Sequence, residues 1–440
     1  MAVSEEVIIR KLTWRLLPIL IFSYFIAILD RANVGVAALT MNKDLGLSMT
    51  AFGFAASIFF VPYVLLEIPS NLALQRFGAR WWIARIMLTW GLLAGAHAFV
   101  WNAGSLYVLR ALLGAAEAGF FPGVVFYLTL WYPSAYRGRI ISAFMAGIPI
   151  SLVIGTPVST LLLELDGILG LHGWQWMYLL EGLPALIVAV FIPFILPSGP
   201  KEAKFLEPAE RNWLMARLDR EQRERAALSG SGHGKQLLAA LLSPQVLLFC
   251  LMYYGLTNLN GAVSTFLPLI LKGFGFSQLQ TGFVAAIPYL FGIAGMLLLG
   301  RLADRPGKRR LANYTALIIS IIGLVGSAAS ADPTVKLLML CIAAFGVFGA
   351  MPVFWGLPTA LLSGTAAAGG IALINSLGNI SSVVNPWVIG MIHDSTGNFD
   401  DGLYWLALMA AMSVVTLIVI STLFGRTPEA GAIKARQSEV

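Results

Sequence analysis

Charge is what this sequence lacks most. Only 12 % of its 440 residues are Asp, Glu, Lys or Arg, while 58 % are hydrophobic. A soluble globular domain carries about 25 % charged and about 45–50 % apolar residues, so an ordinary water-soluble enzyme is excluded. Disorder is excluded on the same ground, because it needs low hydrophobicity and high net charge. Cysteine is nearly absent. Cys250 and Cys341 lie inside long apolar runs with no Cys or His at metal-ligand spacing, so neither a disulfide framework nor a thiolate metal site is expected. The four histidines, His97, His172, His233 and His393, fall near loops or ends of apolar runs and read as structural. There is no His-Glu-x-x-His and no Gly-x-Ser-x-Gly, which argues against an intramembrane hydrolase. No cofactor or metal is expected.

What the chain has is apolar length. About 20 predominantly apolar residues cross a bilayer as a helix, and twelve such runs are present, near 14–38, 50–74, 81–101, 105–131, 139–163, 175–196, 244–271, 280–303, 311–330, 335–362, 369–392 and 403–424. Without barrel-like alternation, helices are the only way for such runs to satisfy their backbone groups in lipid. Twelve Trp, twelve Tyr and 26 Phe suit a bilayer protein with aromatic belts. The first run follows Arg10, Lys11 and Arg15 and so resembles a signal peptide. Asp30-Arg31-Ala32-Asn33 then stands where a small-residue cleavage site belongs, and it reads as a retained span.

Charge placement tests the count. Twenty-four of the 29 Lys and Arg residues lie in the N-terminal tail, in alternate loops or in the C-terminal tail. The other set of loops holds only Lys43, Lys272 and Lys336. A miscounted helix would scramble this division, and the positive-inside rule places both termini in the cytoplasm. The net charge of +7 therefore reports membrane topology, and no nucleic-acid partner is expected. The one long polar stretch, 197–243, divides the chain into an N-terminal six-helix half (1–196) and a C-terminal six-helix half (244–440). It reads as a solvated cytoplasmic linker with a surface helix from Glu207 to Leu228 and a flexible end at Ser229-Gly230-Ser231-Gly232. Tail and loop lengths suit a bacterial inner membrane.

The halves look related. Asn71-Leu-Ala-Leu-Gln75-Arg76-Phe-Gly78-Ala-Arg80 follows the second span, and Gly300-Arg-Leu-Ala-Asp304-Arg305-Pro-Gly307-Lys308-Arg309-Arg310 follows the eighth. Repeated six-helix units mark one large transporter fold. Gly300 to Arg310 resembles the cytoplasmic loop motif of the major facilitator superfamily. The first copy departs from it at Asn71 and Gln75, so an ion-pair gate there would rest on Arg76 and Arg80 with other partners. Leu29-Asp30-Arg31-Ala32-Asn33 and Arg110-Ala-Leu-Leu-Gly114-Ala-Ala-Glu117-Ala-Gly119-Phe-Phe-Pro122-Gly123 together resemble the anion:cation symporter family, over essentially the whole chain. That resemblance implies an all-α fold of 12 transmembrane helices and a carrier of organic carboxylates such as tartrate, phthalate or sugar acids, driven by protons. It also implies that the protein works as a monomer.

The buried charges carry the chemistry. Asp30, Arg31, Arg110 and Glu117 would together cost on the order of 10 kcal/mol if unpaired at the bilayer centre. Arg110 and Glu117 are seven residues apart, so they share a helix face at about 10 Å, with Gly114 between them leaving room. Asp30 and Arg31 point about 100° apart, so that one can face a cavity while the other meets a neighbouring helix. Arg suits a carboxylate because its planar fork engages both oxygens. In the family, the first-span Arg contacts the substrate carboxylate, and the Asp and the fourth-span Glu couple protons. The resemblance carries these roles to Arg31, Asp30 and Glu117, with Arg110 as the partner of Glu117 and a further anion contact. It also implies substrate contacts at Tyr63, Trp355 and Asn375. Asn258, Asn260 and Asn379 are weaker candidates of the same kind, and Glu67 serves either the site or the loop motif. Glu164 and Glu181 lie toward outer span ends and read as solvated or structural. The C-terminal half has no ionisable residue at mid-depth, so charge recognition falls to the N-terminal half. Some relatives carry a further Arg in the seventh span; this chain does not. A uniporter, an exchanger, a sodium-coupled carrier or a transporter-like nutrient sensor stays open as an alternative.

Overall fold

The computed structural model of the chain describes residues 4–228, 243–361 and 364–423. The Ser229–Gly232 stretch, His233 and the basic C-terminal residues Arg426, Lys434 and Arg436 lie outside the described residues. Within them every regular element is a helix and none is a strand. In chain order the helices are α1 Glu5–Asp44, α2 Met49–Ile58, α3 Phe60–Phe77, α4 Ala79–Ala96, α5 Ala103–Glu117, α6 Phe120–Thr129, α7 Ser134–Met145, α8 Gly147–Leu163, α9 Gly173–Ile195 and α10 Pro208–Leu228. They continue with α11 Pro244–Lys272, α12 Gln278–Asp304, α13 Arg309–Ala329, α14 Pro333–Leu361, α15 Gly364–Thr396 and α16 Asp400–Leu423.

Three expected spans are each built from two of these helices, and local chemistry gives the reason. Pro62 has no N–H to offer the Ile58 carbonyl, which ends α2. Pro149 likewise leaves the Met145 carbonyl free, which ends α7. Between α5 and α6 the chain turns through Gly119 at φ 84°, a left-handed conformation that costs a side-chain-bearing residue about 1–2 kcal/mol. Counting these pairs as single crossings, ten stretches among the described residues are long and apolar enough to span a membrane. The third and eleventh expected spans are also helical, as α4 and α15. Arg80 and Arg85 dilute the apolar character of α4, and Asn375, Asn379 and Asn385 that of α15.

The described helices gather into two compact units. One comprises Met1–Leu47, Phe54–Ser231 and Ser277–Phe283, the other Ser48–Gly53, Gly232–Phe276 and Val284–Val440. The first packs around Trp90, Trp131, Tyr127, Phe120 and Phe144, all fully buried. The second packs around Phe249, Tyr253, Phe354 and Leu417. In the second unit α13 and α14 approach so closely that a Cβ at Gly323 would collide with the backbone of Ala343. Small residues at a helix crossing are the usual basis of packing in lipid, where no hydrophobic force separates helix from solvent.

α1 runs for 40 residues, about 60 Å at 1.5 Å per residue, twice the roughly 30 Å apolar core of a bilayer. Its first turns project beyond the span, where Lys11 Nζ meets Glu210 of α10 at 2.6 Å. Burial works against charge on Glu210, but the Lys11 ammonium and the Glu207 N–H outweigh it and hold the carboxyl below its usual range. Farther along α10, Glu221 accepts from the Ser134 N–H at the start of α7 and lies 3.8 Å from Arg137. Leu214 is fully buried. The linker helix is therefore seated on the first unit, where composition suggested a solvated surface helix.

Candidate functional site

Three helices of the first unit, α1, α5 and α9, carry the charges buried within the spans. Arg31 on α1 donates through Nε to Glu117 Oε1 at 2.6 Å, with Nη2 at 2.5 Å from the same oxygen. Glu117 ends α5, where the turn through Ala118 and Gly119 stops the helix. Its side chain is 1 % exposed against 23 % for Arg31, so the arginine is the member of the pair that a solute can reach. The Arg31 guanidinium also lies 4.8 Å over the Tyr63 ring and 5.7 Å from that of Phe59. An aromatic face holds a cation without competing for its hydrogen bonds.

Arg110 does not pair with Glu117, contrary to the sequence-based expectation. It donates from Nε to the Ala55 carbonyl at 3.2 Å and stacks 4.9 Å over the Phe59 ring. Its Nη1 is buried without a hydrogen-bond partner among the described residues. Spacing explains the difference. Two helical turns separate Arg110 from Glu117, and the room that Gly114 was expected to leave is occupied: a Cβ there would meet the Phe59 carbonyl oxygen. Phe59 thus contacts both guanidinium groups, and Arg31, coming from a different helix, reaches the carboxylate.

Asp30 points away from Arg31, as the 100° step between neighbours requires. It is 2 % exposed, and its Oδ2 accepts from Trp90 Nε1 on α4 at 2.5 Å. Its Oδ1 lies 3.5 Å from Asn33 Nδ2. No Lys, Arg or His comes within 4 Å of it among the described residues. Tyr63 is buried beneath Arg31, and Glu67, one turn on, is half-buried with no ion pair among the described residues.

Of the two readings open for Glu181, solvated or structural, burial removes the first. It is 3 % exposed, and it accepts from Ser159 Oγ at 2.6 Å and from Asn33 Nδ2 at 3.0 Å. Asn33 belongs to the quoted first-span motif but was assigned no role. Its position three residues after Asp30, on the same helix face, was the available signal. Trp90, Phe59 and Ser159 carried none, since an aromatic or a serine within an apolar run is ordinary.

In the second unit, Trp355 packs against Tyr253 and Phe354, with ring centroids at 4.8 and 5.2 Å. Asn258 is 1 % exposed, and neither its amide nitrogen nor its oxygen has a partner among the described residues. Asn375 is half-buried on α15. Among the described residues of this unit every Asp, Glu, Lys and Arg lies at or beyond a helix end.

The loop motifs have clear backbone logic. Gly78 and Gly307 hold φ values of 88° and 71°, which glycine adopts freely. Arg80 lies 3.5 Å from Glu202, and Arg76 sits over Phe77. In the second copy Arg309 reaches the Gly356 carbonyl at 3.4 Å. Gly300 is half-buried, while Asp304 and Arg305 are exposed, and Asp304 makes no ion pair among the described residues. His97 is buried, with Nδ1 2.7 Å from the Leu93 carbonyl. No cluster of three metal-ligating side chains occurs among the described residues.

Comparison with known proteins agrees with this architecture. The family model described as Major Facilitator Superfamily matches residues 20–386. A protein of Agrobacterium vitis named "Putative tartrate transporter" is 44 % identical over 417 residues, 95 % of each chain. A "Quinolone resistance transporter" of Acinetobacter baumannii is 41 % identical over 419 residues, 94 % of this chain and 95 % of that one. Among solved structures, a D-xylose-proton symporter superposes with a TM-score of 0.73 at 15 % identity, covering 92 % of this chain and 96 % of the other. With the helices and buried charges described above, these matches define a multi-pass membrane transporter. The chain belongs to the major facilitator superfamily.

Proposed function

We propose that this transporter imports an organic carboxylate of the tartrate, phthalate or sugar-acid type by proton symport. We place it in a bacterial inner membrane with both termini cytoplasmic, as the distribution of Lys and Arg supports, and working as a monomer. The observation that carries the reading is the Arg31–Glu117 pair: a reachable guanidinium bound to a fully buried carboxylate. The names of the Agrobacterium relatives support the substrate class.

The chemistry follows from charge balance. In the empty site Arg31 and Glu117 neutralise each other. A proton on Glu117 frees the guanidinium, whose fork then takes the substrate carboxylate. One bound carboxylate balances Arg31, and the second carboxylate of a dianion such as tartrate or phthalate is balanced by Arg110 once Asp30 is protonated, which keeps the cost of enclosing the loaded site in a low-dielectric interior small. On the inner side substrate and protons leave and the pair re-forms. Asp30, which has no cation in direct contact, takes up its proton without breaking an ion pair. Tyr63 and Arg110 serve the substrate in the first unit, and Trp355, Asn258 and Asn375 are proposed contacts in the second.

Reconstituted protein tests this. Glu117→Gln mimics the protonated acid, so it retains exchange of labelled tartrate across liposomes and loses accumulation driven by an inward proton gradient. Undiminished accumulation in that variant defeats the coupling role. Accumulation that follows a sodium gradient instead, or none beyond equilibrium in the parent, shows a different carrier mode.

A further inference from the structure

Glu181 is a buried acid that the mechanism above does not use. Three helices meet around it. Ser159 on α8 donates to Oε1 and Asn33 on α1 donates to Oε2, while Glu181 itself is in the first half of α9. The same Asn33 amide nitrogen faces Asp30 Oδ1. Asp30 and Glu181 are thus joined through one side chain, and neither has a Lys, Arg or His within 4 Å among the described residues. A carboxylate serving only as a structural anchor in such a place is expected to hold a cation, because an unpaired buried charge is costly.

The joining residue suits a group that changes protonation. An asparagine amide offers two N–H donors and one acceptor. Its donors match two ionised carboxylates. Its carbonyl oxygen, Oδ1, is buried and has no donor among the described residues; turning the amide over presents that acceptor to a carboxylic acid O–H. The remaining ionisable groups nearby are few. Asp30 also faces Glu117 and Arg110. Tyr178, one turn before Glu181, faces Arg110, Glu181 and Asp30, and His97 faces Arg110.

We propose that Glu181 is a further proton-holding carboxyl beside Glu117 and Asp30, linked to Asp30 through Asn33, and that Asp30 and Glu181 together bind a proton at a place separate from the Arg31–Glu117 pair. The step is simple in its balance: one proton from the outer aqueous phase adds to a carboxylate oxygen, and the same proton leaves to the inner phase. The inference rests on the proton-symport reading for its purpose, but its test does not.

Infrared difference spectra of the purified full-length protein, acidic minus neutral and without substrate, report new carboxylic acid C=O stretches. One component is expected to vanish in Glu181→Gln. In Ser159→Ala, which keeps the acid and removes a donor, that component is expected to persist at a shifted frequency. Spectra of both variants that superimpose on the parent overturn the proposal, and Ser159→Ala decides alone if Glu181→Gln does not fold. Tartrate uptake by the parent protein separates the two readings. A Glu181 component without proton-driven tartrate accumulation removes the symport reading and leaves the proton-binding pair standing. Accumulation without the component does the reverse.

Discussion

Arg31 is the residue on which the account turns, because it combines reach and charge. Replacing it by Lys preserves the charge but loses the planar fork and the aromatic stacking over Tyr63. Losing one charge-assisted hydrogen bond costs about 1.5–3 kcal/mol, so Arg31→Lys is expected to raise the apparent KM for a carboxylate by about 10- to 100-fold. Initial-rate uptake into liposomes measures it, and an unchanged KM removes Arg31 from the substrate contact. Residue identity was largely legible beforehand. Asp30, Arg31, Arg110 and Glu117 stand out because charges inside apolar runs are rare and expensive. Their partners were not legible. Which carboxylate an arginine meets depends on helix azimuth and on what fills the space between, and here the Phe59 backbone fills it. Spacing within α5 alone suggested Arg110 for a role that Arg31 performs from another helix.

The elements carry their own information in breaks. The turn at Ala118–Gly119 ends α5 immediately after Glu117, so the acid sits at a helix terminus within the span Ala103–Thr129. A side chain at Gly119 meets both an unfavourable backbone angle and the hydroxyl of Ser70. Gly119→Ala is therefore expected to destabilise by at least about 1–2 kcal/mol, seen as a lower unfolding midpoint in detergent. Gly138→Ala, inside α7 with open space around it, should leave the midpoint unchanged or raise it, since Ala favours a helix by up to about 1 kcal/mol over Gly. Equal effects at both sites would show that backbone angle is not what Gly119 supplies. The existence of spans was readable from apolar length alone. Their division was readable only in part: Pro62 and Pro149 announce a lost hydrogen bond, whereas the left-handed turn at Gly119 looks, in sequence, like one more glycine among 44.

At the scale of the whole molecule, charge is segregated. The first unit holds the buried acids and arginines, while the described part of the second offers amides and aromatics, among them Asn258 with both polar atoms unpartnered. The repeat of loop motifs and the alternation of basic loops made the helix count and the superfamily readable before any coordinates. The seating of α10 was not, because Glu210 and Glu221 look like ordinary members of a charged surface helix until Lys11 and the start of α7 are placed beside them.

The central claim, that Arg31 receives a carboxylate, is tested most directly by ligand-dependent thermal stability of the purified protein. A ligand that binds the folded state raises the unfolding midpoint in step with occupancy. At one mildly acidic pH, with tartrate, phthalate, galactonate, neutral sugars and organic cations compared side by side, the account predicts a rise with a carboxylate only, and its loss in Arg31→Ala. A rise with sugars or cations and none with any carboxylate would contradict it.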